Sequence, residues 1–501
     1  MKWELYPLIR LIIPFTLGMI GANLFVSHMD LVVLFILCCA VLAFSFFFIK
    51  TSDIYRDSKF GVIAMCLFLL IGMTLHTEKY RHIEQGTPQD TTFCQGVLTE
   101  APIEKARSWA LTLEQENGVH LLLYIGKDKV APQHDSITFS TIQIGDTIFA
   151  KIRHLSATNT CENDTFKTYN TYLFHHGICA TAYTPPNQWF VHSCQSSPSL
   201  FSTVESLQGK LHAIYDEHGI NGEAGNIIEA MTIGQKAHLS KDIRTAYAHA
   251  GVSHVLALSG FHVGIIILII QIFFLKPLLP LRWQWVSNLF IIAVLWLYAF
   301  IAGASPSLIR ASLMFTILLL CQSVSREAIS LNSCAIAFSV MLCINPFYLY
   351  DIGFQLSFAS IVGISLLSQR FINAKTPRIL QIIAITCICT LFTAPLAAYH
   401  FGSFSTLSII SNLALTLFVY LLMWSAILWW TFLWCDPINS FLTNLLNWTA
   451  TTMSSITEAI ASFPYATIEW HPNTLTTILC YTLLLTLTYF FTRHKQFATR
   501  L

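Results

Sequence analysis

The sequence predicts a polytopic α-helical membrane protein with a small extracytoplasmic β-barrel domain inserted near its start. Three observations predict it: apolar residues far outnumber charged ones, long apolar runs gather into two blocks, and the stretch between the blocks reads as water-soluble with strand periodicity. Of the 501 residues, 54% are hydrophobic and 11% charged, against about a quarter charged in an ordinary soluble domain. Much of the surface therefore faces something other than water. The formal net charge of +1 leaves no global basic field to attract a polyanion, so any such contact must be local.

A helix needs about 20 apolar residues to cross the hydrocarbon core. Runs at 8–25, 30–49 and 60–75 qualify near the start, a dense block extends from 256 to 434, and a last run covers 474–492. The first is not a cleavable signal peptide, because two further spans follow closely. Lys50, Arg56 and Lys59 lie between the second and third runs, while no Lys or Arg lies between the first and second. By the positive-inside rule the N-terminus is cytoplasmic and residues 77–252 are outside. Later loops agree: Lys276 with Arg282, Arg326, and Arg370 with Lys375 and Arg378 recur at alternate turns. The chain divides accordingly into N-terminal spans (1–76), an outer β domain (77–198), connecting helices (199–252), the main membrane block (253–435), an amphipathic segment (436–473) and a last span with a basic tail (474–501).

Within the outer segment, Val119 to Tyr124 alternates in polarity between Gly118 and Gly126, and Asp146 to Ile152 does so after Gly145. Five or so short strands suit a small barrel of the OB type. Cys94, Cys161, Cys179 and Cys194 are an even set in an oxidising compartment and allow three disulfide pairings. Leu200, Val204, Leu207, Leu211 and Ile214 form a helical stripe, expected on the outer leaflet or against the β domain. A second helix starts at Ser240, with Asp242 in its first turn, and stops at Gly251. Leu446, Met453, Ile456, Ile460 and Phe463 mark another amphipathic helix, lying at the interface or capping the bundle. Residues 405–434 are too long for one ordinary span: either one tilted helix or a re-entrant pair broken near Asn412.

The main block carries few charges. Arg310, near the outer end of a span, either contacts a phosphate or snorkels to headgroups or nearby carbonyls. Ser253, His254, Ser259 and His262 cluster at the mouth of a span that is wholly apolar after Gly264, as expected of a water-filled cavity. Gly260 and Gly264 would allow helices to approach closely. His254 and His262 are eight residues apart, about 12 Å on a continuous helix, too far to share a metal. Asn345-Pro346, Gly353 to Phe358 and Phe401 to Phe404 break helices at membrane depth, where Gln355 and Asn412 carry amides that need partners. Such breaks persist only where buried or lining a cavity. No phosphate loop or nucleophile elbow occurs, and no acid lies near enough to turn Ser259 and a histidine into a protease, so neither catalysis, metal nor cofactor is expected.

The run Ala248 to Gly264 resembles the signature of the ComEC family of competence proteins. Pro306 to Met314, Arg326, Asn345-Pro346, Gly353 to Phe358 and Phe401 to Phe404 follow in the family's order. In the outer segment, Phe166 to Tyr169, Tyr172-Leu173 and Gly177-Ile178 are similar too. The resemblance implies a bacterial inner-membrane channel that passes single-stranded DNA into the cytoplasm, with the path at Ser253, His254, Ser259, Gly260, His262, Arg310, Gln355 and Asn412. The alternative is a transporter or flippase for another polyanion. An OB-like domain would stack bases on aromatics, for which Tyr124, Phe139, Phe149 and Tyr172 are candidates. The family's C-terminal metallo-β-lactamase-like domain has no counterpart after the last span, so a separate nuclease is expected as partner, alongside an ATP-driven motor or single-strand-binding proteins in the cytoplasm, the lipid bilayer and further copies of the chain. The family also tends to place a proline after the motif Asn, which Leu413 replaces here. Arg493, Lys495 and Arg500 favour a cytoplasmic C-terminus, opposite to the family's outer domain.

Overall fold

Apolar runs without water must close their backbone hydrogen bonds within the segment, and here they do so as helices. The computed structural model describes residues 7–25, 56–88, 93–100, 102–127, 144–158, 164–192, 200–272, 283–324, 330–371 and 376–498, with isolated positions at 33–41 and 142. Two compact units result, Met1–Glu205 with Ser339–Asp351, and Ser206–Phe338 with Ile352–Leu501.

The first unit opens with α1 (Pro7–Phe25) and α2 (Arg56–Gln85), which pack on each other. Two glycines set their spacing: a Cβ on Gly18 would run into the backbone of Leu69, and one on Gly72 into the backbone of Phe15. The predicted span at 30–49 lies outside the described residues apart from isolated positions. Helix α2 continues past residue 76 to Gln85, so the third span leads unbroken into the β domain.

That domain comprises β1 (Phe93–Leu98), β2 (Ile103–Glu104), β3 (Ser108–Glu114), β4 (His120–Gly126), β5 (Thr147–Lys151), β6 (His154–Ala157), α3 (Asp164–His175), β7 (Ile178–Thr184) and β8 (Trp189–His192). The sheet order is β6-β7-β4-β3-β1-β5-β8, with β2 on β3; β4 and β7 are parallel and the other pairs antiparallel. Strand alternation sends Leu121, Leu123 and Ile125 to the main core, and Leu122 to the opposite face under Leu173 of α3. Cys94 and Cys179 are buried free thiols, both pushed up to about 11 by burial; Cys161 and Cys194 lie outside the described residues. The same core receives Phe347, 2% exposed, from a short 3-10 helix (Pro346–Tyr350). Asn345 starts that helix by accepting a hydrogen bond from the Phe347 amide (3.2 Å), with Pro346 in the first turn.

The second unit holds α4 (Leu200–Glu217, from Ser206 on), α5 (Gly222–Thr232), α6 (Lys241–His249), α7 (Ser253–Leu256), α8 (Gly260–Ile270), α9 (Gln284–Ile301), α10 (Pro306–Val324), α11 (Ser330–Ile344, to Phe338), α12 (Ile352–Phe371), α13 (Arg378–Phe401), β9 (Ser403–Ser405), α14 (Ser408–Thr431), α15 (Asp436–Ala461), β10 (Thr467–Glu469) and α16 (Thr474–Ala498). Across the described residues, five helices are long and apolar enough to cross a membrane: Gly61–Gln85, Gln284–Ile301, Pro306–Ser323, Arg378–Phe401 and Ser408–Thr431. Shorter apolar helices accompany them. This is a multi-pass membrane protein.

Several expectations are corrected. Leu211 and Ile214 of the α4 stripe pack, with Tyr215, into the core of the second unit. Helix α14 runs unbroken through Asn412, which settles the 405–434 ambiguity for a single helix. Of the two placements expected for α15, packing on the bundle is the one found: Leu446, Ala450 and Met453 belong to the same core, while Phe463 is 64% exposed beyond its end. Ser240 does cap α6, its hydroxyl accepting from Ile243 N (3.3 Å), and Gly251 ends the turn at φ +75.

Overpacking a tight helix contact costs about 1–3 kcal/mol. Gly72→Ala should therefore lower thermal stability of the purified protein by about that amount. Gly21→Ala, whose new Cβ meets nothing within 4 Å, should leave it unchanged or raise it by roughly 0.5–1 kcal/mol.

Candidate functional site

Five helices of the second unit pack in a closed circuit: α8 on α10, α10 on α12, α12 on α13, α13 on α14, and α14 back on α8. The chain alternates direction as it passes α8 to α14, so the starts of α8, α10, α12 and α14 and the end of α13 share one end of the bundle. Each of these five helix ends brings a polar side chain of the kind the sequence singled out.

The approach to α8 is broken. Helix α7 stops at Leu256, Ala257 and Ser259 are extended, and α8 starts at Gly260. Ser259 and His262 close the break as a capping box: the Ser259 hydroxyl accepts from Phe261 N (3.3 Å), while His262 Nδ1 accepts from Ser259 N (3.3 Å) and lies 3.0 Å from its Oγ. With Nδ1 accepting, the assigned tautomer carries its proton on Nε2, which is buried and has no hydrogen-bond partner among the described residues. The break also voids the straight-helix spacing of His254 and His262, which come within electrostatic range.

His254 lies beside Asn412 of α14. It is accessible to water while densely surrounded by protein, and Ser253 beside it is exposed. Arg310 on α10 is 4% exposed and reaches Ser357 Oγ on α12 at a long 3.5 Å. The guanidinium thus points into protein and does not snorkel. Gln355 on α12 accepts from His400 Nε2 on α13 (2.9 Å). The Gln355 amide thus has its partner, while Asn412 stands next to His254. Gly251 sits against Ser405 and Ser408, and a side chain there would displace them. Gly260 and Gly264 face Ala311 and Phe315, but an added Cβ would stand 3.6 and 3.9 Å away, an ordinary contact. The close approach predicted for them is therefore not what makes them glycine.

The pairing β9–β10 joins the loop after α13 to the segment before α16. From there α16 descends along α13: Thr474 meets Tyr399 (3.4 Å), and Tyr481 donates to Phe392 O (2.6 Å). The C-terminal end of α16 thus lies opposite the polar end.

In the first unit, aromatic and basic groups interleave. Lys105 Nζ lies 4.7 Å over the Tyr124 ring and 3.3 Å from its hydroxyl, which is 3.3 Å from the Tyr169 hydroxyl. Tyr169 stacks with Tyr172 (6.4 Å), and the Tyr172 ring packs at a 37° tilt against His176 (4.1 Å). Burial, then the hydrogen bond shared with Tyr124, raises the Tyr169 phenol. Behind this strip, His175 stacks on Tyr350 (4.3 Å), and burial followed by the charges of His76 and His176 lowers it to about 4. On another face, Phe149 stacks on Phe190 (4.9 Å, 7°). Phe139 lies outside the described residues. Tyr169, Phe190 and His400 escaped the sequence reading, although Tyr169 stands one helical turn before Tyr172 and His400 directly precedes the Phe401 motif.

A buried ionic pair was also missed. Glu229 on α5 is 1% exposed and accepts from His212 Nδ1 on α4 (2.7 Å); Asp216 lies 3.5 Å from the other ring nitrogen, and His238 stacks on the ring at 5.1 Å. The Glu229 hydrogen bond raises His212 above its usual 6.5, against burial. Its protonation therefore favours the folded state, fully below pH 6.5, and the contribution fades as pH rises through the raised value. Thermal melts should show stability falling across that interval, and Glu229→Gln should remove the dependence.

A family model described as competence protein matches residues 231–495, just over half of the chain. ComE operon protein 3 of Bacillus subtilis (strain 168) is 34% identical over 196 residues, covering 39% of this chain and 25% of that protein. An uncharacterized protein of Aquifex aeolicus (strain VF5) is 31% identical over 147 residues, covering 29% of this chain and 34% of the relative. The chain thus matches about a quarter and a third of these relatives' lengths. No solved structure matches.

Proposed function

The chain belongs to the competence protein family, and on that premise we propose that it conducts single-stranded DNA across the bacterial inner membrane during natural transformation, with the β domain on the outer side. The carrying observation is the circuit of five helices with hydrophilic side chains at one shared end. Polar and cationic groups at such depth are costly and concentrate on transport paths. Arg310 offers paired donors to phosphate oxygens, and the Nε2–H of His262 is a donor awaiting an acceptor. With Arg310 and His262 nearly closed to solvent, the path is shut in this conformation, and a strand passes only when α10 and α12 part.

The pairings of the β domain support an OB-like barrel. The circuit β1–β3–β4–β7–β6 returns to β1 through β5, because β5 runs into β6 across two residues, and β4 and β7 are its parallel pair. In this reading Tyr124, Tyr169 and Tyr172 stack bases beside Lys105 and His176, and Phe149 with Phe190 offers a second platform. Degradation of the other strand falls to a separate nuclease, and pulling to a cytoplasmic motor or single-strand-binding proteins. The basic loops and the C-terminus then face the cytoplasm.

Deleting the gene should abolish entry of single strands, read as transformation frequency; normal frequency would sink the proposal in favour of a transporter or flippase for another polyanion. Arg310→Ala should lower transformation about 10- to 100-fold, the worth of a hydrogen bond to a charged group, at unchanged protein level in the membrane.

Tyr172→Ala should weaken binding of an oligothymidylate to the full chain by about 1–3 kcal/mol, measured by fluorescence anisotropy. Unchanged binding removes this strip from the path.

A further inference from the structure

In the first unit, the end of α2 faces a cavity of about 140 Å³. Lys79, His82 and Ile83 line it from one helix face, at spacings of three and four residues. His120 and Val119 at the start of β4, His176 and Gly177 after α3, and Asn345 with Phe347 complete the wall. No carboxylate among the described residues lines it. Three imidazoles and an ammonium therefore converge without a counter-charge. Lys79 and His82 have no ion pair or hydrogen bond among the described residues, and His120 Nδ1 is buried without a partner. His176 spends its Nδ1–H on Tyr172 O (2.8 Å), which leaves the other ring nitrogen available.

We propose that this cavity binds a phosphate oxyanion, supplied by the headgroup of an anionic phospholipid. Depth argues for the lipid as source. The apolar run of α2 ends at His76, and Lys79 stands three residues on, about 5 Å further along the axis, at the level where headgroups meet the hydrocarbon. Ile83, Val119 and Phe347 give the cavity an apolar side for the glycerol and upper chain, while its volume suits one phosphate group and not a run of nucleotides. The bound lipid would tie the last turn of a membrane helix to β4, α3 and the 3-10 helix. The site depends on α2 being a membrane helix and not on the DNA reading.

The test uses the full chain in nanodiscs of phosphatidylcholine with and without phosphatidylglycerol, with retained lipid counted by native mass spectrometry after transfer to detergent. Retained phosphatidylglycerol is expected on the wild type over phosphatidylcholine, and Lys79→Gln should reduce it about fivefold, the effect of one basic side chain at an anionic surface. His120→Gln should reduce it as well, and serves if Lys79→Gln does not fold; Lys151→Gln, exposed at the end of β5 and not part of the cavity wall, should not. Equal retention across the variants, or no preference over phosphatidylcholine, overturns the site. Displacement by inorganic phosphate or a single-stranded oligonucleotide at a concentration equal to that of the lipid overturns the lipid as its source.

Discussion

Polar groups taken out of water must find partners in the protein, and the whole arrangement of the helical unit follows from this. A lone amide, imidazole or guanidinium at membrane depth loses several kcal/mol of hydration that lipid cannot return. Here Gln355 finds His400, Asn412 lies beside His254, and Arg310 turns to Ser357. Each partner sits on a neighbouring helix, so satisfying the side chains also fixes which helices adjoin. Solvation requirement and helix order are one problem with one solution.

The same requirement shapes the backbone. The chain breaks between α7 and α8 and exposes amides that a continuous helix would have used; Ser259 and His262 recover them by capping. These two residues look like functional polar groups, and half of their chemistry is structural. What is left over, the Nε2 of His262 and the accessible face of His254, has no such structural task among the described residues. Where no polar group is at stake, packing sets the geometry instead, as where Gly18 and Gly72 let α1 and α2 touch along their backbones.

In the β domain, alternation divides labour between two faces. Leu121, Leu123 and Ile125 fill the core, while Tyr124 emerges on the other side beside Lys105 and the tyrosines of α3. Burying the apolar residues is what presents the aromatic strip. The 3-10 helix after Asn345 lends Phe347 to that core, so a segment from the midst of the membrane block completes the domain's interior.

The sequence by itself determined the membrane class, the inserted strand-rich segment, the cap at Ser240, the helix break at Asn345-Pro346, and the residue types at the polar end. These are local consequences of apolar run length, period-two alternation and side-chain chemistry, and neighbouring residues suffice to express them. Which polar group answers which, that α14 passes Asn412 unbroken, that α4 packs into the helical core, and that Phe347 joins the β domain were decided by tertiary structure alone. Each of these rests on contacts between residues tens to hundreds of positions apart, such as Gln355 with His400 and Ile83 with Phe347. Periodicity reports which face of an element is apolar, but the surface that covers that face is supplied by other parts of the chain.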